Sequence, residues 1–216
     1  RHLERRFPNA SLSVLTFERN RPILEALELL PPDRILTVNG ERLWRLLLGG
    51  IKVTCTMRRL RIDTTLDCEL FSRVSSIFAF LSGARTRAGF HPLTQEGLHR
   101  GRIVNVPVQY NPHCHISRQF LTLAMSLESR TFPPAKRPPE SHPFRLPPVE
   151  VGPGERERFR ARLRADFPGM RDKRLVLLYP GGGLLPIRAW PLAHFVRVAK
   201  DLVSRGCAVG VIGMGE

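Results

Sequence analysis

Bare backbone, a guanidinium and carboxylates are the parts from which a site for a phosphorylated ligand can be built, and this sequence sets them in two regions. Gly181, Gly182, Gly183 and Leu184 follow at once on the apolar run Leu175 to Tyr179 and Pro180, and Arg188 stands just beyond them. Glycines let backbone N–H groups come close to an anion with no side chain in between, and an arginine can add paired hydrogen bonds to a diphosphate. The same residues also suit a tight turn with no ligand and a solvated loop arginine. The Gly-Lys-Ser/Thr ending of a Walker loop is missing, and the glycines do not match the spaced dinucleotide fingerprint. Earlier in the chain, Asp67 and Glu69 fall where a strand runs out, which is where α/β enzymes keep working carboxylates. They could equally serve as a charge pair at the N-terminus of a helix beginning at Leu70. His113, Cys114 and His115 are metal-ligand types, but adjacent ligands rarely reach one ion together, so this stretch reads as a loop and helix start.

These residues need elements to hold them. Leu175 to Tyr179 is a short continuous apolar run, as expected of a parallel strand buried on both faces. Phe195, Val198, Ala199, Leu202 and Val203 recur at helical spacing, with Pro191 suited to the first turn and Gly206 closing the helix. Ala208 to Ile212 forms a second apolar run, leaving through Gly213, Met214, Gly215 and Glu216. Strand, helix, strand in this order is a right-handed crossover, which places ligands at the carboxyl ends of its strands.

Further upstream the same alternation repeats. Helices are expected at Arg1 to Arg6, Arg21 to Leu30, Glu41 to about Leu60, Leu70 to Leu81 and His115 to Glu128. Strands or extended segments are expected at Ser11 to Phe17, Arg34 to Val38, Arg61 to Glu69, Arg85 to Phe90 and Arg102 to Val108. Prolines crowd Ser129 to Pro153 and exclude helix and central strand there, giving a stiff connector. The domain reading is therefore 1–128, an N-terminal Rossmann-like domain, then the linker 129–153, then 154–216, the start of a second Rossmann-like domain. A helix opens the sequence where the first strand of a sheet would be expected, and one crossover cannot cover its own sheet. An internal fragment of a longer protein is the expectation, with low stability and little activity alone.

The run Gly181 to Phe195, with Arg188 shortly before Trp190 and Pro191, resembles the signature of glycosyltransferase family 9, the ADP-heptose:lipopolysaccharide heptosyltransferases and their relatives. The usual basic residue there is lysine. A second stretch is similar to a branch of the same family: Phe71, Ser72, Arg73, Ser75, Leu81 to Ala84, Arg87, Gly89 and Phe90, continuing through Glu96 to Leu98, Arg100 and Gly101 to Tyr110, Asn111, Pro112 and His115.

The resemblance implies an α/β fold of the GT-B type, two Rossmann-like doubly wound domains, the second incomplete here. It implies inverting, metal-independent transfer of a heptose or related sugar from a nucleotide-diphosphate donor such as ADP-heptose to an anionic lipopolysaccharide core acceptor, without a cofactor. Gly181, Gly182, Gly183, Leu184 and Arg188 would hold the donor diphosphate, and Glu216 falls where the family has an acidic residue contacting the nucleoside. Asp67, Glu69 and His115 are the acceptor-side candidates. The family's catalytic base, an aspartate after the very first strand, would lie N-terminal to residue 1. Such an enzyme would work in the cytoplasm, peripherally at the inner face of the inner membrane.

Composition bounds this reading. The chain of 216 residues has 42% hydrophobic residues and a formal net charge of +15, with a pI of ≈ 11.2. Such an excess implies anionic partners. A noncatalytic basic module for nucleic acid or an anionic surface is the alternative, although arginines are spread along the whole chain and two Trp and two Tyr offer little for base stacking. The stretch closest to a membrane span, Leu43 to Met57, is broken by Arg45 and Lys52. Cys55, Cys68, Cys114 and Cys207 lie far apart, as free thiols in a reducing compartment would.

Overall fold

A computed structural model describes residues 2–70, 72–91, 101–129, 149–181 and 189–213. The chain divides into two compact units, Arg1–Val149 and Glu150–Glu216.

In the first unit, helix α1 (His2–Arg6) leads to strand β1 (Val14–Phe17), which pairs in parallel with β2 (Ile35–Val38), Val14 opposite Ile35 and Phe17 opposite Val38. Between them, α2 (Arg21–Ala26) ends earlier than expected, because Glu28 takes a left-handed φ of 47° that no helix can continue through. A long helix, α3 (Leu43–Arg59), follows β2. Its internal Gly50 has a packing reason: a Cβ there would lie 3.1 Å from the ring of Phe78, so its absence lets the next helix approach. Strands β3 (Thr64–Asp67), β4 (Thr86–Phe90) and β5 (Val106–Val108) form a second parallel sheet in that order, with α4 (Val74–Leu81) and α5 (Ile116–Met125) packed on it. The expected extended segment Arg102 to Val108 starts instead with a 3₁₀ turn at Gly101–Ile103.

Strand alternation sorts these helices onto faces. Leu66, Ala88 and Phe90 join Leu123 of α5 in one core cluster, whereas the intervening Asp67 bonds Ser76 of α4 and Arg87 lies over the Phe80 ring of α4. So α4 and α5 cover opposite faces of the β3–β4–β5 sheet. Phe78 of α4 also reaches the cluster of Val38, Val53 and Met57 beneath α3, and Arg58 Nε donates to the Leu81 carbonyl at 2.9 Å. On the α5 side, Arg6 of α1 pairs with Glu128. Helices therefore tie the two sheets together, while no strand pairing joins them among the described residues.

The second unit holds α6 (Pro153–Asp166), β6 (Leu175–Leu178), α7 (Leu192–Ser204) and β7 (Ala208–Val211). Pro153, expected in the linker, sits in the first turn of α6, where its missing N–H costs nothing. Strands β6 and β7 pair in parallel, Leu175 opposite Ala208 and Leu178 opposite Val211. One expectation is overturned here. β6 is not buried on both faces: Leu177 is 57% exposed and Leu175 also faces outward, since among the described residues nothing covers the second face of this two-stranded sheet, in keeping with the expectation that one crossover cannot cover its own sheet. Helix α7 is capped by Pro191, one position ahead of its expected place in the first turn, and closes on Gly206 at φ 80°.

Candidate functional site

The exact parallel pairing of β6 with β7 brings both carboxyl ends to one edge, where Ile212 N–H donates to the Leu178 carbonyl at 2.8 Å. Tyr179, Pro180 and Gly181 leave one strand and Ile212 and Gly213 the other, so the two glycine-bearing exits start about 5 Å apart, the spacing of paired strands. A Cβ on Gly181 would lie 2.9 Å from the tip of the Tyr179 ring, which leans over it. That tip is half-exposed and can swing aside, so glycine here relieves a contact that a rotation of the phenol would also relieve. The N-terminus of α7 adds the positive end of a helix dipole after the crossover. Trp190, just ahead of that helix, stacks on His194 at 4.9 Å and meets Phe195 edge-on at 5.1 Å, which fixes the entry of the chain into α7. Gly182, Gly183, Leu184, Arg188 and Glu216 lie outside the described residues.

The acceptor-side candidates of the first unit occupy the carboxyl edge of its second sheet. Asp67 is 6% exposed; one carboxylate oxygen accepts from Ser76 Oγ at 2.7 Å and the other from the Glu69 N–H at 3.1 Å. Glu69 accepts from the Leu70 N–H at 3.0 Å. These local bonds hold the chain in turns and delay the helix to Val74, whose N–H is taken by Ser72 Oγ. The charge-pair role for a helix beginning at Leu70 is thereby excluded. Between them, Cys68 has part of its surface open, yet desolvation of the sulfur, followed by the negative charge of Asp67, pushes its thiol up to about 11. At neutral pH it is a thiol and a poor nucleophile.

His115 caps α5. Its Nδ1 accepts from the Ser117 N–H at 3.3 Å and lies 2.7 Å from Ser117 Oγ. The preceding loop is clamped by a residue the sequence reading passed over: buried Gln119 donates to the Asn111 carbonyl at 2.8 Å and accepts from the Asn111 N–H. Its signal was a polar residue among the inward positions of an amphipathic helix. Arg87 was likewise unassigned; it donates to the carbonyls of Ile103 and Ala84, both at 2.6 Å, locking the approach to β5.

The sequence also gave no warning of a hollow of ≈ 310 Å³ at the carboxyl ends of β1 and β2, lined by Phe17, Glu18, Arg19, Asn39, Gly40 and Glu41. Asn39 donates to Glu18 at 3.1 Å and receives the Glu41 N–H at 3.0 Å. Carboxylate, amide and guanidinium groups on one rim suit a polyhydroxy ligand. Among the described residues, no group of three or more His, Cys, Asp or Glu side chains could hold a metal ion.

Parallel strands joined by helical crossovers define an α/β protein of the doubly wound kind. In three dimensions the chain is similar to E. coli ADP-heptose LPS heptosyltransferase II, with a TM-score of 0.62 and 20% identity over 99% of this chain, and its fold is that heptosyltransferase's GT-B fold. The alignment spans 58% of the heptosyltransferase chain. No protein-family profile and no curated protein matches the sequence.

Proposed function

We propose that this chain is part of a glycosyltransferase that moves a heptose or related sugar from a nucleotide-diphosphate donor to a lipopolysaccharide core hydroxyl, with inversion and without a metal or cofactor. The observation that carries the reading is the side-by-side exit of two glycine-bearing turns at the carboxyl edge of β6 and β7, in a chain with a heptosyltransferase fold. Backbone N–H groups at Gly181 to Leu184 and the Arg188 guanidinium would take up the charge of the departing diphosphate, and Glu216 would accept from the donor's ribose hydroxyls. The base that removes the acceptor proton is assigned to none of these residues. Asp67, Glu69 and His115 would shape the acceptor side rather than transfer protons, since each already accepts a hydrogen bond from a neighbouring part of the chain.

The test is calorimetric titration of ADP-heptose into the full-length protein and its Arg188→Ala variant. Loss of a charged, paired contact predicts donor affinity lower by about thirtyfold, or about 2 kcal/mol. Unchanged affinity would remove the mechanism. Salt-sensitive binding of nucleic acid without any response to ADP-heptose would replace it with the basic-module reading that the net charge of +15 also supports.

A further inference from the structure

Helix α3 carries a second apolar face that the fold does not use. Its inward residues, Val53 and Met57 with Leu46, pack beneath β2. Leu43, Trp44, Leu47, Leu48 and Ile51 instead stand in solvent, between 53% and 73% exposed, and at these spacings they share one stripe of the helix. Arg45, Lys52 and Arg59 recur two turns apart along one border of that stripe. From Arg42 to Arg61 the chain has six cations, Arg42, Arg45, Lys52, Arg58, Arg59 and Arg61, and no carboxylate. Of these, Arg45 is shared with Glu41 at 3.6 Å and also lies over the Trp44 ring at 5.2 Å.

We infer that this face of α3 is a membrane-docking surface that lies in the headgroup region of an anionic bilayer. A broad apolar stripe with a tryptophan at one end and cations along its border is the pattern of a helix lying in the interface plane. The charge argues against the other occupants. A second copy would bring like-charged borders together across an isologous contact, and a nucleic acid would leave five large apolar side chains without a role. No helix among the described residues is long and apolar enough to cross a membrane, so α3 lies on the surface. The hollow at Asn39, Gly40 and Glu41 opens immediately before the first turn of α3, which would bring it to the headgroups where a lipid-linked sugar stands.

The choice of a lipid surface draws on the proposed lipopolysaccharide acceptor, but the test needs no sugar transfer, so either idea can fail alone. Trp190 and any tryptophan of the full-length protein outside residues 1–216 are replaced by phenylalanine, so that Trp44 is the single tryptophan and its emission reports on α3. Full-length protein is titrated with phosphatidylcholine vesicles containing or lacking 30% phosphatidylglycerol. The expected result is a blue shift of Trp44 with the anionic vesicles, weakened by salt. Each border cation is worth roughly fivefold in partitioning, so Arg45→Gln, Lys52→Gln and Arg59→Gln together lower binding roughly 100-fold. Leu47→Asp with Ile51→Asp abolishes it while the circular dichroism melt stays unchanged, both side chains being exposed. An emission already blue in lipid-free protein would show that another segment or a second copy covers the stripe, and would overturn the inference. So would vesicle binding that both sets of substitutions leave intact.

Discussion

The carboxyl edge of the β3–β4–β5 sheet and that of the β6–β7 sheet follow the same construction rules and differ in what they leave available. On the first edge, polar side chains are committed to their own chain: Asp67 to Ser76 and the Glu69 N–H, Glu69 to the Leu70 N–H, and Gln119 across the loop to Asn111. On the second, the strands run out into Pro180 and Gly181 and into Gly213, which offer backbone and little else. A carboxylate at a strand end is therefore a weak guide to chemistry when a hydroxyl one helical turn into the next element already holds it. Glycine exits on neighbouring strands are a better one, because a Cβ on Gly213 would meet nothing and one on Gly181 would meet only the movable ring of Tyr179.

Changes at the two edges should separate stability from ligand binding. Ser76→Ala leaves a buried carboxylate short of one charge-assisted bond and should cost about 2 kcal/mol of stability. Donor affinity should stay as it was, read by denaturant unfolding beside calorimetry. A loss of donor affinity with stability intact would make Asp67 part of the site and reverse the contrast. His115→Ala removes the cap of α5 and should cost about 1 kcal/mol, with His115→Asn recovering most of it. If the asparagine restores stability but not transfer, the imidazole has a role at the acceptor.

The smallest effect is a pH dependence. Cys68 ionises at about 11 in the folded chain against an ordinary 9.0, so between these values the unfolded chain has lost a proton that the folded chain keeps. Stability should therefore fall as pH rises from about 9 to about 11, and Cys68→Ser should flatten that part of the profile. Alkylation of Cys68 in the native protein that is complete at pH 8 would show the sulfur to be open to solvent.

Much of the fold was legible in the sequence because periodicity records which face of an element is covered. The strands at Val14, Ile35, Thr64, Thr86 and Leu175 lie within the segments expected from apolar runs and alternation, and Gly206 ends α7 where a left-handed residue is needed. What could not be read arises from interactions that periodicity does not encode. The late start of α4 comes from the side-chain bonds of Asp67, Glu69 and Ser72 to nearby N–H groups. The apolar run of β6 suggests burial on both faces, and it is the count of elements around it, one crossover for a whole sheet, that anticipates the exposed Leu175 and Leu177. The hollow at Asn39 depends on β1 and β2 ending together, a matter of register that neither strand shows alone.

Amide hydrogen exchange across the full-length protein, with and without saturating ADP, puts the central idea to its most direct trial. A diphosphate cradled by main-chain N–H groups past Tyr179 should slow exchange from Gly181 to Leu184 and leave Asp67 to Leu70 untouched. Protection that spares Gly181 to Leu184, or that falls only beyond β3, would show that the nucleotide rests somewhere else.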